Sequence, residues 1–141
     1  MCAYTNAANV GAISGSMFSG NSITVGQYLQ GGGVVGRFSD TNPSNVGAIS
    51  GSMFSGNSIT ARYLDGGGVV GAYSKADSSS SVGAISGSLF SGNSITVEQD
   101  LNGGGVVASS GLSASLGRID TTAFIGNDAT ANGTDGLLYS G

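Results

Sequence analysis

A 36-residue repeat constrains this chain more than any other feature of its sequence. The stretch VGAISGSMFSGNSIT occupies residues 10–24 and recurs unchanged at 46–60, and VGAISGSLFSGNSIT occupies 82–96. A second block, GGGVV, recurs at 31–35, 66–70 and 103–107. The first block recurs every 36 residues, whereas the second recurs after 35 and then 37. The insertions therefore fall between the blocks, which indicates that the blocks are packed elements and the connectors are loops.

The repeats favour strands because glycine and serine interrupt every short apolar segment. The chain has 27 Gly among 141 residues, and each Gly inside a helix costs about 1 kcal/mol relative to Ala. Short apolar segments bounded by Gly and Asn are typical of short strands joined by tight corners. We therefore predict an all-β fold, a parallel β-helix, with about two coils of roughly 18 residues in each repeat. Eight such coils would make a rod on the order of 38 Å long.

The array divides into three parts. Residues 1–9 form a lead-in or cap, residues 10–116 form three repeats, and residues 117–141 form a degenerate fourth repeat in which Ile119, Phe124 and Asn127 replace Ile85, Phe90 and Asn93. Degenerate terminal copies are typical of repeat arrays. The connector at 36–45 contains the only proline, Pro43, and is predicted to be an exposed turn.

Stacked coils place equivalent residues above one another, which predicts four ladders, three in the core and one at a corner. The aliphatic and aromatic core ladders consist of Ile13, Ile49 and Ile85, and of Phe18, Phe54, Phe90 and Phe124. A third core ladder consists of Val34, Val69 and Val106, with the second Val of each pair facing the other way. The corner ladder consists of Asn21, Asn57, Asn93 and Asn127, whose amides are expected to bond to each other and to turn backbone.

Composition narrows the functional classes. Four Lys and Arg against eight Asp and Glu give a net charge of −4, which disfavours nucleic acid as a partner. The chain has no His and a single Cys, Cys2, so Cys/His zinc sites and His-based triads are excluded within it. No apolar run approaches the roughly 20 residues of a membrane span. The N-terminal residues lack a signal-peptide pattern, so we expect any export signal to lie outside this chain.

The acidic residues predict neither an enzyme nor a cofactor. Hydrolases that act on glycosidic bonds use paired carboxylates, but the slot after the repeated Leu holds Gln30, Asp65 and Asn102 in turn. Residues 128–135 alternate oxygen-bearing side chains as a calcium loop does, but the twelfth position is Tyr139 and not the bidentate Glu. We therefore expect no catalytic residue, no metal and no cofactor.

A candidate binding face comes from the Ser-Ile-Thr triplets. If each Ile points inward, its neighbours point outward and form two files of hydroxyls. These residues are Ser22, Thr24, Ser58, Thr60, Ser94 and Thr96. A flat, regular hydroxyl array would suit ice or glycan.

The tandem pairing of GAI with FSGN resembles the GGA[I/L/V] and FxxN repeats of chlamydial polymorphic outer membrane proteins and similar autotransporter passengers. The matching residues are Gly11 to Ile13 with Phe18 to Asn21, Gly47 to Ile49 with Phe54 to Asn57, and Gly83 to Ile85 with Phe90 to Asn93. Members of that family are exported, form right-handed β-helices and act in adhesion. The resemblance implies a right-handed β-helix at the bacterial cell surface or outside the cell.

These observations favour a non-catalytic extracellular stalk or adhesin-type passenger segment. One alternative is a subunit of a self-assembling extracellular filament, stacked end to end through its terminal coils. Another is an ice- or glycan-binding module that uses the Ser and Thr files. The expected partners are other protein chains, either further copies or a receptor on a host or cell surface, with no nucleic acid and no membrane span.

The aromatic ladder gives a first testable prediction. Replacing Phe54 with Asp would place an unpaired charge inside the coil, at a cost of several kcal/mol. We expect a large fall in the melting temperature measured by circular dichroism. An unchanged melting temperature would show that Phe54 lies outside the core.

Overall fold

A computed structural model describes residues 2–4, 9–40, 42–75, 79–103, 105–110 and 113–132, and these residues form a parallel β-helix. Its strands are β1 (Cys2–Tyr4), β2 (Ile13–Ser14), β3 (Met17–Ser19), β4 (Ser22–Gly32), β5 (Val35–Ser39), β6 (Ser44–Val46), β7 (Ile49–Ser50), β8 (Met53–Ser55), β9 (Ser58–Gly67) and β10 (Val70–Ser74). They continue as β11 (Ser79–Val82), β12 (Ile85–Ser86), β13 (Leu89–Ser91), β14 (Ser94–Val97), β15 (Leu101–Asn102), β16 (Val107–Ser110), β17 (Ser113–Leu116), β18 (Ile119–Asp120), β19 (Ala123–Ile125) and β20 (Asp128–Ala131).

The strands form five parallel sheets that run along the helix axis, and we name each after a repeated residue. The Ile sheet contains β2, β7, β12 and β18, and the Phe sheet contains β3, β8, β13 and β19. The Thr sheet contains β4, β9, β14, β15 and β20, the Val sheet contains β1, β5, β10 and β16, and the Ser sheet contains β6, β11 and β17. Each of the first three coils crosses the Ile, Phe, Thr, Val and Ser sheets in that order, and the described part of the fourth crosses the Ile, Phe and Thr sheets.

Each repeat makes one coil, so the expectation of two coils per repeat is wrong. Ile13 pairs with Ile49 and Ile49 with Ile85, a separation of one full repeat. The coils begin at Val10, Val46, Val82 and Leu116, and the last one, which is described to residue 132, is incomplete. The GAISG and GGGVV blocks lie on different sides of one coil and do not stack on each other. Four layers at about 4.8 Å make a stack of roughly 19 Å, half the expected length.

The degenerate fourth repeat continues the stack. Ile119 pairs with Ile85, and Phe124 pairs with Phe90. Residues 133–141 of this repeat lie outside the described residues. Before the first coil, β1 pairs in parallel with β5 and so belongs to the Val sheet. The right-handedness that the resemblance implies stays a prediction.

The core consists of ladders of equivalent side chains. Phe18, Phe54, Phe90 and Phe124 stack in one column, with successive ring centroids 4.8, 4.7 and 4.8 Å apart. The structure places Phe54, Phe90, Ile49 and Ile85 in full burial. Ile13 and Phe18 in the first coil are half-buried, and Phe124 in the last coil is 44% exposed. Burial therefore depends on having a coil on both sides.

The glycines of the GGGVV block allow two backbone segments to pack against each other. A Cβ on Gly32 would lie 2.0 Å from the Val35 carbonyl oxygen, and one on Gly67 would lie 1.9 Å from the Val70 carbonyl oxygen. The end of the long Thr-sheet strand thus packs directly on the Val sheet. Both valines of the pair become buried, Val35 as fully as Val34. The expectation that the second Val faces away from the core is wrong for this reason.

The connector at 36–45 is also more ordered and more buried than its proline suggests. Residues 35–39 form β5, all of whose residues are buried, and Ser44 begins β6. Arg37 is 0% exposed, and its Nη1 donates a hydrogen bond to the Phe38 carbonyl oxygen. The predicted exposed turn is thus restricted to the short stretch around Asp40 and Pro43, which are exposed.

The corners require a left-handed backbone at specific positions. Gly15, Gly51 and Gly87 each have φ of 53°, and in the fourth coil Thr121 has φ of 46° at the equivalent corner. A β-branched residue is strained there, because its Cβ crowds the following carbonyl.

This corner predicts a difference between two Gly-to-Ala variants. Space is open at Gly87, where the nearest atom to an added Cβ is 3.9 Å away, so only the backbone conformation opposes Ala. Gly11 has equal space and no left-handed φ. We expect Gly87→Ala to lower the free energy of unfolding by about 1–2 kcal/mol relative to Gly11→Ala. Urea denaturation measures this difference, and equal stabilities would contradict the left-handed corner.

Candidate functional site

The corner ladder of asparagines connects all four coils through side-chain amides. Asn21 Nδ2 donates to Asn57 Oδ1 at 2.8 Å, and Asn57 Nδ2 donates to Asn93 Oδ1 at 2.8 Å. Asn93 Nδ2 donates to Asn127 Oδ1 at 2.7 Å. The second hydrogen on Asn57 Nδ2 bonds to the Phe18 carbonyl oxygen at 3.0 Å. Each inner amide thus uses both its donors and its acceptor within the coil stack, as expected from the sequence.

A second polar ladder, which is not among the predicted ladders, lies at the corner between the Ile and Phe sheets. The backbone N–H of Ser16 donates to Ser52 Oγ at 3.2 Å, and that of Ser52 donates to Ser88 Oγ at 3.2 Å. Ser52 and Ser88 are buried, and Thr122 occupies the equivalent place in the last coil. The sequence does contain a signal for this ladder, because a serine follows the corner glycine in each of the first three repeats.

The Ser-Ile-Thr triplets form the two outward files that the sequence predicts. Ser22, Ser58, Ser94 and Asp128 make one file, and Thr24, Thr60, Thr96 and Thr130 make the other. Ile59 and Ile95 between them are fully buried. A neighbouring outward file on the Phe sheet is apolar at Met17 and Met53, which are 71% and 37% exposed. The geometry of the face is therefore regular, and its binding of ice or glycan stays a prediction.

An aromatic pair projects from the second half of the long Thr-sheet strands. The rings of Tyr28 and Tyr63 stack with centroids 4.6 Å apart and an interplanar angle of 15°. Tyr63 Oη donates to Gln99 Oε1 at 2.7 Å, and the Arg62 guanidinium carbon lies 5.5 Å from the Tyr63 ring centroid. Tyr28 is 58% exposed. The stacked rings therefore form a supported aromatic surface on the outside of the coils.

A polar file runs beside these rings, two residues further along the same strands. Gln30, Asp65 and Asn102 occupy equivalent register positions. Asp65 Oδ2 accepts from Gln30 Nε2 at 3.4 Å, and Asp65 Oδ1 accepts from Asn102 Nδ2 at 2.9 Å. The three types of side chain that replace one another in the sequence are thus complementary in space. We call Tyr28, Tyr63, Gln30, Asp65 and Asn102 the tyrosine–carboxylate patch.

Tyr73 lies close enough to the Asp65 carboxylate for the negative charge to affect its phenol. Its ring stacks on Phe38 with centroids 5.5 Å apart. Burial, followed by the negative charges of Asp65 and Asp40, raises the pKa of the Tyr73 phenol. The neutral phenol is therefore retained to higher pH than in a free tyrosine.

The described residues contain no group of three or more His, Cys, Asp or Glu side chains placed to hold a metal ion. Asp128 at the start of the calcium-like segment lies in β20, and residues 133–135 of that segment lie outside the described part of the chain. The described residues also include no helix long and apolar enough to span a membrane.

Neither a protein-family model, nor a curated protein, nor a solved structure matches the chain.

The asparagine ladder predicts a stability difference between an inner and an outer position. Asn57→Ala removes the acceptor for Asn21 and the donor to the Phe18 carbonyl inside the stack. We expect a loss of about 3 kcal/mol in the free energy of unfolding, because several buried groups lose their partners. Asn21→Ala, at the exposed end of the ladder, is the matched control and should cost about 1 kcal/mol. Equal losses in guanidinium denaturation would show that the ladder does not act between coils.

Proposed function

We propose that this chain is a non-catalytic segment of an extracellular β-helical stalk or adhesin. The observation that carries the proposal is the separation of a constant side from a variable side of the same coils. On the Ile and Phe sheets and on the first half of the Thr-sheet strands, most outward residues of the first three coils repeat, as Thr24, Thr60 and Thr96 do. On the second half of the Thr-sheet strands the outward residues differ, as Gln30, Asp65 and Asn102 do.

This separation suits recognition of another molecule by the variable side. The core ladders and both polar ladders maintain the shape of the coils. Outward residues on the second half of the Thr-sheet strands can therefore differ between coils without loss of packing. Loops and surface positions on a rigid scaffold are where binding residues usually lie. The sequence resemblance to autotransporter passengers supports an extracellular location and an adhesive role.

Adhesion is tested with beads that carry the chain. We expect beads coated with the chain to be retained on an epithelial cell monolayer several-fold more than albumin-coated beads. A variant of the variable side, with the exposed residues Gln27, Arg62 and Glu98 each replaced by Ser, should lose this retention.

The matched control changes the constant side, with Ser19, Ser55 and Ser91 each replaced by Ala. It should adhere like the unchanged chain. Equal retention of all three proteins and albumin would overturn the adhesive role.

End-to-end assembly is the second candidate, and the last coil favours it. Leu116, Ile119 and Phe124 are 45%, 41% and 44% exposed, although the residues that pair with them in the third coil are buried. The first coil of a second copy presents the half-buried Ile13 and Phe18 at the register positions of Ile119 and Phe124. Exposed strand edges of this kind template further strands, and a head-to-tail contact that does not close forms a filament.

The assembly is tested by light scattering and negative-stain imaging at micromolar concentration. We expect thin fibres from the unchanged chain and none from Phe124→Asp, because a charge at this end would be buried by the next copy. Ile125→Asp is the control, since Ile125 is 60% exposed and neighbours Phe124 on the opposite face of its strand. A monodisperse monomer from the unchanged chain would overturn this candidate.

A further inference from the structure

We propose that the tyrosine–carboxylate patch binds a neutral oligosaccharide, with one sugar ring stacked on Tyr28 and its hydroxyls bonded to the Gln30–Asp65–Asn102 file. The proposal names a ligand class for the variable side and in that respect rests on the proposed function. Three features of the patch support it, namely the open aromatic ring, the oriented polar file and the local charge.

The ring of Tyr28 is open on one face and supported on the other. Its strand, β4, pairs only with β9 among the described strands, so no described strand covers its other edge. Tyr63 covers the inner ring face, and Tyr63 is itself fixed by its bond to Gln99. A planar apolar ring held in this way binds flat apolar surfaces with little loss of side-chain entropy. The C–H face of a sugar is such a surface.

The polar file offers hydrogen-bonding groups on the same side of the strand as the ring. Leu29 between Tyr28 and Gln30 packs against the core, so both neighbours point outward. Asp65 accepts from Gln30 and Asn102, which fixes the orientation of both amides. Each amide keeps its carbonyl oxygen and one N–H hydrogen for a ligand. Adjacent donors and acceptors of this kind match the hydroxyls of a sugar.

The charge of the patch favours a neutral sugar over other ligands that stack on aromatic rings. The polar file carries the carboxylate of Asp65, and the nearby cation of Arg62 lies over the Tyr63 ring. The chain as a whole has a net charge of −4. Acidic polysaccharides and single-stranded nucleic acids require a positively charged track, so a neutral oligosaccharide fits this surface better.

Binding is measured by tyrosine fluorescence and by NMR shifts during titration. The chain has five Tyr and no Trp, so the fluorescence signal comes from tyrosine alone. The probes are cellohexaose, maltohexaose and N-acetylchitohexaose, with hexagalacturonate as the anionic probe. Because the platform is an open surface, we expect a Kd of about 1 mM for one neutral hexasaccharide. Hexagalacturonate should bind at least tenfold more weakly.

Three single-residue variants test whether the sugar binds at the tyrosine–carboxylate patch. We expect Tyr28→Ala to weaken binding at least tenfold, because the stacking ring is removed, and Asp65→Ala to weaken it several-fold, because the amides lose their orientation. Met17→Ala, which changes an exposed side chain of the same coil on the Phe sheet, should bind like the unchanged chain. Circular dichroism confirms that each variant stays folded.

Three outcomes would overturn the proposal. They are no binding of any neutral hexasaccharide at about 10 mM, equal binding by the Tyr28→Ala variant, and loss of binding on Thr60→Ala with Tyr28→Ala unaffected. The last result would place the sugar on the hydroxyl face. Soluble-sugar titration is independent of cell adhesion, so failure here with retained bead adhesion would indicate a protein receptor, and sugar binding without adhesion would overturn only the adhesive role.

Discussion

The hydrogen bond between equivalent positions of successive coils is the interaction on which this structure depends. It joins backbone to backbone in five parallel sheets and side chain to side chain in the asparagine ladder, where Asn57 bonds to Asn21 on one side and Asn93 on the other. A coil of 36 residues rich in Gly and Ser buries too few large side chains to be stable alone. Stacking supplies what it lacks, because each Phe, Ile and Asn then has a like residue above and below it. The half-buried Phe18 and exposed Phe124 show that this benefit stops at the first and last layers.

The same constraint organises the outer surface. Residues that point inward must pack against the equivalent residue of the next coil, so most of them are of the same type. Residues that point outward need only avoid a clash with their neighbours. On the Thr sheet, the outward serines and threonines repeat, and on the continuation of the same strands they do not. Tyr28 over Tyr63 and Asp65 between Gln30 and Asn102 lie on that variable continuation. Their arrangement depends on register, since residues 35 and 37 apart in the chain become direct neighbours. The candidate binding site is thus a consequence of stacking as much as the core is.

Two departures from expectation have the same physical cause. The second Val of each GGGVV block was expected to face away from the core, but the glycines let the end of one long strand pack on the Val sheet, with no room for a Cβ at Gly32 or Gly67. That close packing buries β5, including Arg37, in a connector whose proline and polar residues suggested an exposed turn. The glycines that allow this contact do recur in each repeat, but a glycine has no side chain whose direction would predict which backbone segment it packs against. The stacked Ser52 and Ser88, in contrast, did have a periodic signal, which is the serine after each left-handed Gly.

The sequence by itself determined that the chain is a parallel β-helix, which residues lie over one another and that asparagines occupy a corner, because a 36-residue repeat with strand-like segments has few other ways to bury its apolar side chains. It did not determine the number of coils per repeat. With two short coils per repeat, Ile49 would lie two layers above Ile13, and with one long coil it would lie one layer above. Both arrangements agree with the 36-residue period. Only the tertiary structure decided between them, since backbone pairing joins Ile13 directly to Ile49. The tertiary structure also decided which outward residues meet across coils, because one inserted residue between Val25 and Tyr28 sets the register that brings the two tyrosines together.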